Sequence, residues 1–183
     1  RIQELGGTSR AIQAGIDAAQ RLVQEISGLQ RETVDISEVV MAIKCGASDT
    51  TSGMASNCVI GYVADKLVDL GATVVFGETT EFLGGEHILA KRAVGGENGP
   101  IGQKIYEIVD RMEKRAKSVG EDMRGGQPTP GNIAGGLSSI EEKSLGAIVK
   151  SGHRPIQGVL EYCDRVDGQK GLWIKDAPGR GPG

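Results

Sequence analysis

A polar loop near residue 44 combines residue types that can bind a small anion. It holds a cation, a thiol, a carboxylate and several hydroxyls between glycines, namely Lys44, Cys45, Gly46, Ser48, Asp49, Thr50, Thr51, Ser52 and Gly53. Exposed backbone N–H groups beside such donors can grip an anion. The loop could equally cap a helix, with Asp49, Thr51 and Ser52 satisfying its free amides. It matches neither a Walker loop nor a G-x-G-x-x-G fingerprint, which argues against a nucleotide site.

A second polar segment collects carboxylates and one imidazole. It contains Glu78, Thr79, Thr80 and Glu81, followed by Glu86 and His87 behind Gly84-Gly85. Carboxylate oxygens with an imidazole suit a hard or borderline divalent ion such as Mg²⁺, Mn²⁺ or Fe²⁺. Alternatively, Glu81 and Glu86 are residues of a first helical turn, where the helix dipole favours acidic side chains.

The three cysteines are unevenly spaced and form neither a disulfide framework nor a C-x-x-C metal motif. Cys45 follows Lys44 and is a candidate nucleophile, although the sequence places no base beside it. Cys58 and Cys163 are expected to be small core residues. An iron–sulfur cluster held by all three cysteines has little support, because they lie far apart. His153 is expected to be a surface histidine.

Two apolar runs must position these loops. Residues 39–43 and 72–76 read as strands covered on both faces, as in parallel sheets. A helix is predicted between them from Val59, Val63, Leu67 and Leu70, with Gly71 after its end. These elements form a right-handed βαβ unit. Loops that follow parallel strands leave at the same carboxyl edge, where open α/β sheets bind ligands. We therefore expect loops 44–53 and 77–85 to converge.

Two longer helices are predicted from apolar residues that recur at intervals of four and three. The first should begin with Thr8 as N-cap and end at Gly28, with a stripe of Ile12, Ile16, Ala19, Val23 and Ile26. The second should run to about Gly120, with a stripe of Ile101, Ile105, Ile108, Met112, Ala116 and Val119.

The remaining chain alternates loops with short elements. Residues 124–136 hold five glycines and two prolines and are predicted to lack regular structure. Ser138 and Glu141 form a predicted capping box for a helix that runs to about Lys150. Two short strands are predicted at 159–162 and 172–174.

Composition agrees with a single α/β domain over residues 1–183. Glycine contributes 29 residues, more than double the usual share of roughly 7%. The predicted fold is a parallel, βαβ-containing sheet flanked by helices, with glycine-rich loops at its carboxyl edge. Residues 1–37 are expected to form a helix that packs on this domain, and 177–183 a truncated tail.

Charge and hydropathy exclude several classes of partner. The formal net charge is −3, with no long run of one sign, which argues against nucleic acid and anionic membranes as partners. No segment approaches the roughly 18 apolar residues of a membrane span, and the first residues lack a signal-peptide pattern. A cytoplasmic location is the expectation.

Six motifs appear in a characteristic order. They are Lys44-Cys45-Gly46-Ala47-Ser48-Asp49, Gly77-Glu78-Thr79-Thr80-Glu81, Glu86-His87, Pro128-Thr129-Pro130-Gly131-Asn132, Gly135-Gly136-Leu137 and Glu142-Lys143-Ser144-Leu145-Gly146. In these motifs the chain resembles the altronate/galactarate dehydratase family from about Thr8 to Gly179. The resemblance implies a metal-dependent lyase that eliminates water from a sugar acid, with Fe²⁺ as the expected cofactor and Mg²⁺ or Mn²⁺ as alternatives. Two other functions stay open, a large-subunit fragment of sulfolactate sulfo-lyase and a non-catalytic subunit-interface module.

The resemblance also implies partners. Family chains often carry a small N-terminal domain, or a separate small subunit in its place, and they continue past Ala177-Pro178-Gly179. The chain is therefore expected to be a central fragment that works with such a partner, as a homo-oligomer, on a small hydroxy acid. Glu86-His87 resembles altronate-type members but not galactarate-type ones.

The expected site residues fall into three groups. The catalytic group is Lys143, Glu78 and His87. The substrate-binding group is Ser48, Asp49, Thr50, Thr79 and Asn132. The metal-binding group is Cys45, Glu78, Glu81 and Glu86. Dehydration must remove a proton beside a carboxylate and expel hydroxide, and a divalent cation stabilises the negative charge that develops.

Overall fold

The computed structural model describes residues 1–177 as two compact units, Arg1–Val34 and the chain from Asp35 onward. Its helices are α1 (Thr8–Ser27), α2 (Asn57–Asp69), α3 (Glu86–Arg92), α4 (Pro100–Ser118), α5 (Met123–Gly126), α6 (Pro130–Ala134) and α7 (Ile140–Ile148). Its strands are β1 (Val40–Ile43), β2 (Thr73–Gly77), β3 (Ile156–Leu160) and β4 (Gly171–Lys175). In addition, a π-helical turn spans Ser52–Ser56, and 3-10 helices span Ile36–Glu38, Thr79–Glu81 and Val149–Ser151.

The first unit contains the predicted N-terminal helix. Helix α1 ends before Gly28, as predicted, but its N-cap is Gly7 rather than Thr8, and no side chain caps it. None of its residues is buried. The predicted packing of this helix on the α/β domain stays a prediction.

The second unit is built on a four-stranded sheet in the order β1-β2-β4-β3, and each neighbouring pair is parallel. This confirms the predicted α/β class and the βαβ unit. Both short strands near the end of the chain are also present, although β3 begins at Ile156, three residues before the predicted start. Strand β2 lies inside the sheet, and the side chains of its first four residues are buried.

The expectation that the first strand is covered on both faces was wrong. Strand β1 is at the edge of the four-stranded sheet, and Val40 and Ala42 are exposed. Only Ile43 of this strand is buried. A short apolar run reads the same whether the strand is central or at an edge, because hydropathy does not report the number of neighbouring strands.

The buried face of α2 also differs from the predicted one. Val59 and Val63 are exposed, whereas Gly61 and Ala64 are buried. The small residues allow close packing, since a Cβ on Gly61 would lie 2.2 Å from the carbonyl oxygen of Val149. The prediction followed the large apolar side chains and therefore missed a helix face defined by small ones.

Two glycines allow α7 to lie directly against the π-helical turn before α2. A Cβ on Gly53 would lie 3.3 Å from the Cα atom of Gly146. Asn57 Nδ2 also donates a hydrogen bond to the Gly146 carbonyl at 2.8 Å. This contact connects the end of loop 44–53, called the thiol loop after Cys45, with the helix that carries Lys143.

Two local predictions between α4 and α7 need correction. The segment 124–136 is not wholly irregular, because it includes most of α5 and all of α6. The N-cap of α7 is Ser139, which accepts from the Glu142 amide, rather than Ser138 paired with Glu141. The predicted long helix is confirmed as α4, and it buries Ile105, Ile108, Met112 and Ala116.

The main core lies in the second unit and is almost entirely aliphatic. It joins β2 and β4 to α3 and α4 through residues that include Val74, Phe76, Leu89, Ile105, Ile108, Leu172 and Ile174. The rings of Phe76 and Phe82 pack with centroids 4.9 Å apart. Within residues 1–177, no helix has the length and apolar character needed to cross a membrane.

Candidate active site

The two polar loops meet at the carboxyl ends of β1 and β2, as predicted. Lys44 Nζ donates to Glu78 Oε1 at 2.9 Å, and the Cys45 backbone N–H donates to Glu78 Oε2 at 2.6 Å. Glu78 is 5% exposed, so this carboxylate is buried between the loops and bound to both a cation and an amide. The parallel pairing of β1 with β2 places the residues that follow the two strands side by side.

A cavity of about 430 Å³ opens where these loops meet. Its walls include Lys44, Cys45, Ser48, Glu78, Glu81, Thr129, Asn132 and Lys143. Most of these residues are polar or ionisable. The cavity therefore has the size and chemistry of a site for a small charged molecule.

Three potential metal ligands lie together in this cavity. The ligand atoms of Cys45, Glu78 and Glu81 are all within 4.8 Å of one another. Glu81 is 7% exposed, and its Oε2 atom has no hydrogen-bond partner among the described residues. A buried carboxylate oxygen without a partner is costly, so a bound cation or donor at this position would satisfy it.

Lys143 reaches the same cavity from α7. Its Nζ atom donates to Gln127 Oε1 at 2.9 Å and lies 3.6 Å from Glu81 Oε1. The side chain of Lys143 is only 10% exposed. Lys44 was predicted only as a member of the anion-binding loop, and Gln127 was not among the predicted site residues. For Lys44, its position directly after the first strand was the available signal, whereas nothing in the local sequence marks Gln127.

Asn132 fixes the thiol loop instead of pointing a free amide into the cavity. Its Nδ2 atom donates to the Ser48 carbonyl at 2.9 Å, and its Oδ1 atom accepts from the Thr129 amide at 3.1 Å. The Thr50 amide donates to the Gly135 carbonyl at 3.0 Å, which adds a second tie between the loops. Ser48 Oγ lies 3.1 Å from the Cys45 sulfur.

Asp49 caps the helical segment that leads into α2, which was the alternative interpretation of this loop. Its Oδ1 atom accepts from the Ser52 amide and the Thr51 hydroxyl, both at 2.7 Å. The Thr51 hydroxyl and then the Ser52 amide hold the pKa of Asp49 below its ordinary value. Asp49 and Thr50 border a neighbouring cavity of about 390 Å³, which shares Ser48 and Lys143 with the first one.

Three further predicted site residues lie outside the central cavity. Thr79 is fully buried, and its hydroxyl is bonded to Asp176 and to the Ala177 amide. Glu86 is the first residue of α3, as the alternative interpretation proposed, and His87 is exposed on that helix. Neither Glu86 nor His87 belongs to the group of potential metal ligands described above. Glu86 follows Glu81 by only five residues, which concealed this separation.

The remaining cysteines are not core residues. Cys58 and Cys163 are both exposed, which contradicts their predicted burial. Neither accompanies Cys45 in the cavity, so the structure gives no support for a three-cysteine cluster. His153 is exposed, as predicted, and its Nδ1 atom lies 2.9 Å from Asp65 Oδ2.

The sequence of the chain identifies its family. The sequence model of the family D-galactarate/altronate dehydratase, C-terminal, matches residues 36–182, and the chain belongs to this family. Its relatives carry names of lyases, so the chain is a member of a lyase family.

Three relatives illustrate the range of the family. The chain is 42% identical over 95% of its length to (2R)-sulfolactate sulfo-lyase subunit beta of Chromohalobacter salexigens, covering 44% of that protein. It is 39% identical over 82% of its length to galactarate dehydratase (L-threo-forming) of Escherichia coli, covering 28% of it. It is 35% identical over 92% of its length to altronate dehydratase of Bacillus subtilis, covering 33% of it. The chain therefore spans less than half the length of each of these relatives.

Proposed function

We propose that the chain carries the metal-binding site of a lyase that eliminates water from a sugar acid. The observation that carries this proposal is the group formed by half-buried Cys45 and the buried Glu78 and Glu81, in a cavity that also contains two lysines. Family membership supports the same class of reaction. The names of the relatives supply the candidate substrates, galactarate and altronate.

The donor set fits a borderline divalent ion such as Fe²⁺. One thiol and two carboxylates combine a soft ligand with hard ones, and the unpartnered Glu81 Oε2 leaves a lone pair available. Mg²⁺ or Mn²⁺ would rely on the carboxylates alone. When bound, the ion supplies positive charge that stabilises the negative charge developing on the substrate.

The protein residues then share the remaining tasks. Lys44 is the more exposed of the two lysines, with 39% of its side chain exposed, and its ammonium group can hold the carboxylate of the substrate. Lys143 contacts both Gln127 and Glu81, and it is the candidate for transferring the proton to or from the substrate. The proton leaves C2, hydroxide leaves C3 with a proton from the protein, and the resulting enol becomes a 2-oxo-3-deoxy acid.

A second candidate reaction is favoured by the 42% identity to the beta subunit of a sulfo-lyase. Sulfite would leave C3 of sulfolactate in place of hydroxide, and the enol would become pyruvate. The same cavity residues serve both reactions, because both begin with a proton beside a carboxylate. By analogy with the subunit name of this relative, we also propose that a second subunit or domain completes the enzyme.

The decisive experiment assays the protein that carries this chain with galactarate, altronate and sulfolactate, in the presence and absence of Fe²⁺ under anaerobic conditions. Formation of a 2-oxo acid from a sugar acid only with metal would support the first proposal, and release of sulfite the second. Anaerobic titration of the chain with Fe²⁺ by calorimetry tests the site directly. Absence of both metal binding and turnover would overturn the proposal and favour a non-catalytic interface module.

A further inference from the structure

We propose that Thr79 and Asp176 are positioning residues for Glu78 and Glu81. This inference rests on the function proposed above only in taking the two glutamates as metal ligands. The contacts of Thr79 and Asp176 themselves do not depend on a ligand. Thr79 begins the 3-10 helix that carries Glu81, and it directly follows Glu78. Any movement of this short helix therefore moves both carboxylates.

Thr79 is bound on several sides to the segment that follows β4. Its hydroxyl donates to Asp176 Oδ1 at 2.5 Å and accepts from the Ala177 amide at 3.0 Å. Its own amide donates to the Ala177 carbonyl at 3.3 Å. Thr79 is 0% exposed, so water does not compete for these bonds. The helix that presents the two glutamates is thus attached at its first residue.

Asp176 is in turn attached to α4 and β3. Its Oδ2 atom accepts from Arg111 at 2.5 Å, and its backbone N–H donates to the Leu160 carbonyl at 2.8 Å. Arg111 also binds Glu161 at 2.5 Å, and this pair raises the pKa of Arg111, with Asp176 as the second contributor. Because Asp176 is 5% exposed, its charge is compensated inside the protein rather than by solvent.

Such an arrangement has a specific value at a metal site. Ligands must be held within about 0.5 Å of their productive positions, and hydrogen bonds from supporting residues provide that precision. Loss of a supporting residue typically costs 10- to 100-fold in metal affinity. The alternative is that Thr79 merely stabilises the fold, as many buried threonines do.

A second buried threonine, at the start of β2, provides a matched control for that alternative. Thr73 is 1% exposed, and its hydroxyl donates to the Gln169 carbonyl at the opposite end of β2. Thr73→Val and Thr79→Val therefore each remove one buried hydroxyl of nearly the same shape. Of the two threonines, only Thr79 belongs to the 3-10 helix that carries Glu81.

The test compares Thr79→Val, Thr79→Ser and Thr73→Val with two readouts. The first is the NMR position of the Cys45 amide proton without metal, because this amide donates to Glu78 at 2.6 Å. The second is affinity for Co²⁺, measured by titration. We expect Thr79→Val to move the Cys45 resonance upfield and weaken Co²⁺ binding about 10-fold or more. Thr79→Ser and Thr73→Val should leave both near the wild-type values.

The two readouts separate this inference from the proposed function. If the wild-type chain binds no Co²⁺ but the Cys45 resonance moves only in Thr79→Val, the metal proposal fails and the positioning role stands. If Thr79→Val leaves the Cys45 resonance unmoved, or Thr73→Val moves it equally, the positioning role is overturned. Should Thr79→Val not fold, Asp176→Asn, which keeps an oxygen acceptor but removes the charge, is judged by the same criteria.

Discussion

Glu81 and Lys143 face each other in the central cavity, with Oε1 of the carboxylate 3.6 Å from Nζ of the amine, while the second oxygen of Glu81 has no hydrogen-bond partner within the described chain. The pair is therefore close enough for charge attraction but leaves one carboxylate lone pair available. This is the arrangement expected of a ligand-binding carboxylate rather than of a saturated structural ion pair.

Glu81→Gln should weaken binding of divalent metal by about 10- to 100-fold, because the amide oxygen is a poorer ligand than a carboxylate. Anaerobic calorimetry with Fe²⁺ measures the effect. Glu86→Gln is the matched control, since Glu86 also has a buried oxygen without a partner but lies outside the cavity. Equal losses in the two variants would contradict the assignment of Glu81.

Lys44→Met should have the opposite effect and strengthen metal binding roughly 2- to 5-fold. Lys44 donates to Glu78 Oε1 at 2.9 Å, so it competes with an incoming cation for that oxygen. The gain is small because the lysine is partly exposed and its charge is screened by solvent. If the same titration shows weaker metal binding in Lys44→Met, the prediction that Lys44 and the metal compete for Glu78 is wrong.

Gly135→Ala should destabilise the protein by about 1–3 kcal/mol, since a Cβ there would lie 2.7 Å from the Cβ of Asp49. Urea unfolding measures the change. Gly131→Ala is a control four residues away, where the nearest atom to a new Cβ is at 4.0 Å. That variant should be neutral or slightly stabilising, because alanine favours the helix. Similar losses at both positions would rule out the close approach of the two loops as the cause.

Asp65 should make stability depend on pH. Burial raises the pKa of Asp65, but hydrogen bonds from His153 and Arg154 outweigh it and hold the pKa below its usual value. Such a group stabilises the fold fully above its unfolded pKa of about 3.9, and this contribution is lost as the pH falls through the lower folded value. Asp65→Asn should therefore lower Tm by roughly 3–8 °C at pH 7 and by much less at pH 2.5.

The control for this prediction is Asp110→Asn, which removes a surface ion pair with Lys114. It should change Tm little at either pH, because exposed pairs within a helix contribute about 0.3–0.5 kcal/mol. Thermal unfolding followed by circular dichroism provides the measurement. A gap between wild type and Asp65→Asn that stays constant from pH 7 to pH 2.5 would contradict the role assigned to the Asp65 hydrogen bonds.

The sequence was sufficient to predict the βαβ unit and the meeting of its two loops. Apolar runs before Lys44 and Glu78 define the strands, and the geometry of parallel sheets brings the following residues together. Cys45, Glu78, Glu81 and Lys143 were all among the predicted site residues, and all four line the same cavity. Their individual roles stay predictions.

Other features depended on information that local sequence does not contain. Ser138-Ser139 and Glu141-Glu142 offer two capping boxes one residue apart, and pattern alone cannot choose between them. Glu81 and Glu86 look alike as acidic residues near glycines, but a turn before α3 separates them. Thr79 was predicted to bind substrate, but its hydroxyl donates a hydrogen bond to Asp176, almost one hundred residues later in the chain.

The contact between Gly53 and Gly146 has a consequence for the width of the neighbouring cavity, which both residues line. With backbones this close, a Cβ on Gly53 would lie 3.3 Å from the Gly146 Cα atom, so the walls that carry the thiol loop and the buried lysine would have to separate by a few tenths of an ångström. The spacing of those walls is therefore set by main-chain atoms. In this chain, a larger space for a ligand must then come from smaller side chains around the rim, not from a wider gap between these two segments.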